Sequence, residues 1–236
     1  MHQAATHLRC QTCLISLLRR ALLLGCVPTR SRCRRLWQCL RRRACFSMPP
    51  TVAGSIAAIQ RHTGSKVGFS PQLPYYLDGD VKITQSMAIL RYLARKHGLE
   101  GKSDAEKLRV DMTEQQFADF RMNWVRLCYN PDFDKLKGEY LKGLPASLKA
   151  FSDFLGSHKY FAGENLTYVD FIAYEMLSQH LLFAPDCLKE HANLKAFVDR
   201  IEALPHVAAY LKSDKFISWP LNGDMASFGS RLTKKP

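Results

Sequence analysis

No aspartate or glutamate occurs before Asp78 in this 236-residue chain, although ten arginines lie between Arg9 and Arg43 and Arg61 and Lys66 follow. The formal net charge of +13 therefore belongs to one end. All 21 acidic residues and most of the 34 basic ones come later, so the body is nearly neutral. A nucleic-acid patch would have to sit in the basic segment. That segment has only Trp37 and Phe46 to stack on bases, which argues against sequence-specific binding. The body also lacks paired cysteines. Six of the eight precede residue 50, leaving Cys128 and Cys187 far apart, which excludes a disulfide framework and suggests a reducing compartment. Cys10-x-x-Cys13 has no second pair at matching spacing, so a zinc module is the weakest reading of the leader. There are no internal repeats.

Residues 1–66 are an Arg- and Cys-rich leader expected to be disordered. As a secretory signal it fails, because Arg19-Arg20 interrupts the apolar stretch from Leu14 to Val27. As a membrane span it is too short and charged at its centre. A mitochondrial transit peptide fits better, being arginine-rich and free of acids. The favoured reading is an alternative or non-native N-terminus, since neither Pro49-Pro50 nor the stretch from Gly54 to Gly68 shows a strand pattern.

What is present begins at Gln72. Tyr75 to Leu77 and Val81 to Thr84 have strand composition, and Asp78-Gly79 is a pair that a tight hairpin turn selects. Gln85-Ser86 then opens the helical-period run Met87, Ile89-Leu90, Leu93-Ala94, closed by Gly98. On the residues alone Ser86 is an ordinary helix opener. The functional alternative is that it holds a ligand carboxylate with the free N–H groups of a helix start. Ser103-Asp104-Ala105-Glu106 is a capping box opening a long helix to Tyr129, where Asn130-Pro131 stops it. A second helix spans Phe133 to Leu155, bent or broken near Gly143-Leu144-Pro145 and closed by Gly156. Thr167-Tyr168-Val169-Asp170 is a second box before a run apolar enough for a buried helix. Asp170 reads as a cap and not as a catalytic acid. Shorter helices are expected at Asn193 to Leu204 and His206 to Leu211, separated by Pro205, with an aperiodic tail from Trp219 wrapping the surface.

Leu73-Pro74-Tyr75-Tyr76, Asp78-Gly79, Thr84-Gln85-Ser86 and Ala88-Ile89-Leu90-Arg91-Tyr92-Leu93-Ala94-Arg95-Lys96-His97 together resemble the glutathione transferases, the mu class above all. The likeness continues through Leu127-Cys128-Tyr129-Asn130-Pro131-Asp132-Phe133, Phe161-Ala162-Gly163 and Thr167-Tyr168-Val169-Asp170-Phe171, and covers about residue 67 to the end. It implies an α+β protein in which a partial thioredoxin-like domain (67–100) precedes an all-α domain (101–236). The implied reaction is attack of the glutathione thiolate on hydrophobic electrophiles, with glutathione as co-substrate and no cofactor or metal. The implied setting is a cytoplasmic homodimer (mitochondrial if the leader acts), with no nucleic-acid or membrane partner.

By the same resemblance, Leu73 pairs its backbone with the cysteinyl part and Pro74 is a cis-proline turning that backbone to the ligand. Gln85 and Ser86 hold the γ-glutamyl end, and Asp119 reaches the ligand of the partner subunit. Tyr129 assists at the electrophile, Arg121 and Met122 line its pocket, and the tail near Asn222 closes it. Each has a plainer reading: Tyr129 and Met122 as packing, Asp119 and Arg121 as solvated charge. The chain departs from the family where the thiolate-activating tyrosine belongs. It contains no Gly-Tyr-Trp, and its first tyrosine is Tyr75. Loss of such a donor costs roughly 2.7–4 kcal/mol by analogy with oxyanion-stabilising groups. Gln72 stands where Asn is usual, and Ser70 where an aromatic locks the dimer, beside Phe69.

Overall fold

The computed structural model describes residues 74–236 apart from 79 and 215. The leader and Leu73 lie outside these. Two compact units meet in the sequence between Leu93 and Ala94.

In the first unit, β1 (Tyr75–Asp78) and β2 (Val81–Thr84) pair antiparallel, with Tyr75 opposite Thr84 and Asp78 opposite Val81. That register corrects the expected turn. Asp78 is the last strand residue, facing Val81 across the pair, and Asp80 is a turn residue. A tertiary contact accounts for the shift, because the Asp78 carboxylate accepts a hydrogen bond from the Tyr92 hydroxyl at 3.0 Å. Tyr92 belongs to α1 (Ser86–His97), and its ring lies 5.9 Å from that of Tyr76, two residues before Asp78 and hence on the same strand face. Ile89, Leu90, Leu93 and Ala94 are buried at helical spacing, as expected. Gly98 ends α1 with φ +69°. Leu99 N–H donates to Ala94 O and Gly98 N–H to Arg95 O, the Schellman arrangement that satisfies otherwise orphaned carbonyls.

The second unit is helical. It begins with the last residues of α1, from Ala94 on, and contains α2 (Asp104–Cys128), α3 (Phe133–Leu155), α4 (Tyr168–Phe183), α5 (Ala192–Glu202) and α6 (Pro205–Leu211). α4 packs against α2 and α5, and α3 packs against the same two helices. Residues 168–177 are buried on every side, which explains why α4 has no polar stripe. Aromatic rings join the layers. Phe117 of α2 stacks on Phe151 of α3 at 4.2 Å and meets the edge of Phe161, which in turn meets Phe197 of α5.

Of the bend or break expected in α3, the break is absent; one helix runs through Gly143-Leu144-Pro145. Leu144, Leu148, Phe151 and Leu155 form a continuous buried stripe, while Gly143 and Pro145 are exposed. The backbone bond that Pro145 cannot make is therefore lost on a face where water can replace it. Pro205 does lie at the break between two helices, α5 and α6, but on its C-terminal side, the gap falling at 203–204. It is the first residue of α6, where a missing N–H costs nothing.

Candidate functional site

Thr84, Gln85 and Ser86 join β2 to α1. Thr84 and Ser86 are buried, Gln85 is exposed, and Ile89 N–H donates to Gln85 O at 3.0 Å, so Gln85 sits at the helix cap. Its φ is +72°, the only positive value at a non-glycine among the described residues. A cap normally takes extended geometry, and the left-handed region costs an ordinary side chain roughly 1–2 kcal/mol. Strain of this kind, held by the surrounding structure, is a signature of functional turns. Pro74 is buried just before β1, and the peptide bond joining Leu73 to it lies outside the described residues.

The other expected residues lie in the helical unit. Asp119 is exposed on α2, with Arg121 and Met122 half-buried two residues or more beyond it. Met122 and Tyr129 are seven residues apart, two turns along one helical face. Tyr129 caps α2, and its hydroxyl accepts the Gly223 N–H at 2.9 Å. Asn222 is buried next to that contact, but its side-chain amide is turned into the tail, donating to Phe228 O at 2.9 Å. The fold thus brings Tyr129 and the segment at 222–223 together across most of the helical unit's sequence, while Asp119 stands apart from them along α2.

Several buried polar groups went unnoticed in the sequence. His180 in α4 faces Met176 O through Nδ1 and the Tyr140 hydroxyl through Nε2, both at 2.7 Å. Since the carbonyl can only accept, Nδ1 carries the proton and Tyr140 donates to Nε2. Burial holds the imidazole down to about 4 and pushes the Tyr140 phenol well up. With both nitrogens engaged and the ring stacked on Phe120, His180 is a structural neutral histidine and not a general base. Trp124 Nε1 donates to Gln179 Oε1, and Gln179 Nε2 donates to Glu175, whose carboxyl is raised by burial. Asp170 accepts from Phe161 N–H, Thr167 N–H and the Thr167 hydroxyl, as a cap should. Of the two thiols among the described residues, Cys128 is buried and Cys187 is pushed up to about 11 by burial, so neither is an activated nucleophile. Among the described residues no cluster of His, Cys, Asp and Glu could hold a metal, and no helix is long and apolar enough to cross a membrane.

Known proteins share this arrangement. The family model for the glutathione S-transferase N-terminal domain matches residues 61–95, starting ahead of the first motif read from the sequence, and that for the C-terminal domain matches 118–214. The chain is 55% identical over 161 residues to glutathione S-transferase Mu 5 of Mus musculus and equally so to glutathione S-transferase Mu 3 of Homo sapiens. Each alignment covers 68% of this chain and 72% of the relative. Among solved structures, the Pi-class glutathione S-transferase of Onchocerca volvulus superposes with a TM-score of 0.68 at 26% identity, covering 91% of this chain and 94% of its own. The glutathione S-transferase Blo t 8 gives 0.63 at 31% identity, over 68% and 77%. The likeness thus extends well beyond the local motifs, and the chain belongs to the mu class of the glutathione S-transferase family.

Proposed function

We propose that this chain joins reduced glutathione to small hydrophobic electrophiles, with the turn at Gln85-Ser86 holding the γ-glutamyl end of the peptide. The observation that carries the reading is the left-handed backbone of Gln85 immediately before the N-terminus of a twelve-residue helix. Such a turn aims orphan N–H groups, and the positive end of the helix dipole, at an anionic group. Leu73 and Pro74 present backbone to the cysteinyl part. The sulfur attacks as thiolate: a carbon–sulfur bond forms, the leaving group departs with its electron pair, and the thiol proton passes to solvent. Tyr129 supplies a hydroxyl at the electrophile, Arg121 and Met122 line its pocket, and the segment at Asn222 covers it. Residues 67–100 and 101–236 are the two domains of this reading, glutathione is co-substrate, and the setting is a cytoplasmic homodimer. Leu108 and Met112, exposed one turn apart on α2, support self-association, with Asp119 on the same helix reaching the partner's ligand.

Retention on glutathione-agarose together with conjugation of a chlorinated nitroaromatic tests the proposal. Gln85→Gly removes the backbone strain and the side chain at once. The variant should be at least as stable as the parent, yet show a raised KM for glutathione. Retention without turnover would favour a second reading, a non-catalytic transferase-like association module, which the missing Gly-Tyr-Trp sequence favours. Failure of both retention and turnover would overturn the glutathione reading.

A further inference from the structure

We infer that Ser227 and Phe228 are positioning residues for the electrophile end of the site, anchoring the tail so that Gly223 fixes the Tyr129 hydroxyl. The inference rests on the function proposed above.

The last carbonyls of a helix have no partner within it. At the end of α2 one of them, Cys128 O, is served from ninety-odd residues away, as is Asn130 O just beyond the helix. Ser227 N–H donates to Cys128 O at 2.7 Å, and the Ser227 hydroxyl donates to Asn130 O at 3.0 Å. Tyr129 lies between these two acceptors, and its own oxygen takes the Gly223 N–H. Gly223 and Ser227 belong to one small closed loop. Asn222 N–H donates to Gly229 O at 2.8 Å, and the Asn222 amide donates to Phe228 O. Gly229 has φ +80°, and a Cβ there would meet Asn222 Nδ2 at 2.9 Å, so a larger residue would strain the loop and push on the Asn222 amide.

Phe228 gives this loop its apolar root. Its ring centroid lies 5.5 Å from Trp124, 6.0 Å from Phe133, 5.2 Å from Phe183 and 5.9 Å from Trp219, joining α2, α3, α4 and the start of the tail. The exposed Arg231–Asp224 ion pair spans the same loop but, facing water, adds little to its hold. A phenol oxygen that accepts an N–H has its remaining directions restricted, so the place of the loop sets where the Tyr129 O–H points. Moving Ser227 or Phe228 therefore moves the Tyr129 hydroxyl, a group at the electrophile in the function proposed above.

The test uses the full chain with Ser227→Ala, Phe228→Ala, Phe228→Tyr and Tyr129→Phe. Steady-state kinetics are measured for each substrate separately, and amide hydrogen exchange is followed over residues 219–236. Phe228→Ala should lower kcat/KM for the electrophile between about tenfold and a hundredfold, the scale on which a misplacement of ~1 Å acts. Ser227→Ala should lower it about two- to tenfold, as one hydrogen bond would. KM for glutathione should stay put in both, and Phe228→Tyr should restore most of the loss. Exchange in the loop should accelerate in Ser227→Ala, Phe228→Ala and Tyr129→Phe alike. Parallel changes for both substrates, or unchanged kinetics, would overturn the inference. If the parent chain conjugates nothing, the proposed function has failed separately, and unchanged exchange in the three variants would then overturn the anchoring claim. If Phe228→Ala does not fold, Ser227→Ala decides by the same criteria.

Discussion

The starts of α2 and α4 carry the same local device in opposite surroundings. At α2 the Ser103 hydroxyl accepts Glu106 N–H, and Glu106 accepts Ser103 N–H and Lys102 N–H, all at the surface. At α4 the Asp170 carboxyl takes three donors in an interior position. One of them, Phe161 N–H, comes from outside the box and ties the preceding loop, with its central aromatic ring, to the helix start. The surface box stops fraying of one helix. The buried box sets the position of a core residue as well. Solvent also reverses their titration. Hydrogen bonds from Asn165 and Lys102 hold the Glu106 carboxyl below its usual range, whereas burial pushes Asp170 up to about 6.

The largest effect should come from Asp170→Ala, which strands three donors away from water. Unsatisfied buried groups cost about 1–3 kcal/mol each, so a loss of at least about 3 kcal/mol is expected in urea denaturation. A loss near that of an ordinary surface cap would break the contrast between the boxes. Next is pH. An acid raised on folding contributes most below its unfolded value, here 3.8, and loses that contribution as pH rises through about 6. The stability advantage of the parent over the non-titrating Asp170→Asn should therefore shrink across this window by roughly 3 kcal/mol. Glu106 has the opposite sign, its contribution being lost as pH falls through its lowered value. Ser103→Ala should cost about 1 kcal/mol, the usual worth of an exposed cap. The smallest change is a gain. Gly143 is an exposed interior residue of α3 with open space around its missing Cβ, so Gly143→Ala should add about 0.5–1 kcal/mol. A destabilised Gly143→Ala would mean that the continuity of α3 depends on this glycine, against the buried-stripe account.

Both boxes could be read from four residues each, because a cap is a contact between near neighbours. The bounds of α1 and α3 were legible for the same reason, since Gly98 and Gly156 stop them locally. Of the bend or break expected near Pro145, the break followed from propensity alone, and the buried stripe Leu144, Leu148, Phe151 and Leu155 outweighed it. Asp78 was misread as a turn residue because its partner, Tyr92, is fourteen residues away. At the candidate site, the motif around Gln85-Ser86 was visible, but nothing in a glutamine announces a left-handed backbone. Ser227 and Phe228 gave no signal at all. The tail has no period, and their partners at Cys128, Asn130 and Trp124 are about a hundred residues distant.

The amino-acid order by itself determined the caps, the helix ends, the strand pair and the kinship, all carried by residues within a few positions of one another. Tertiary structure alone decided which box is buried, that α3 continues through its proline, that Gln85 is held in a strained conformation, and that the tail docks at the end of α2. Those outcomes depend on burial and on hydrogen bonds between distant segments, whose free energies exist only once the chain has closed on itself.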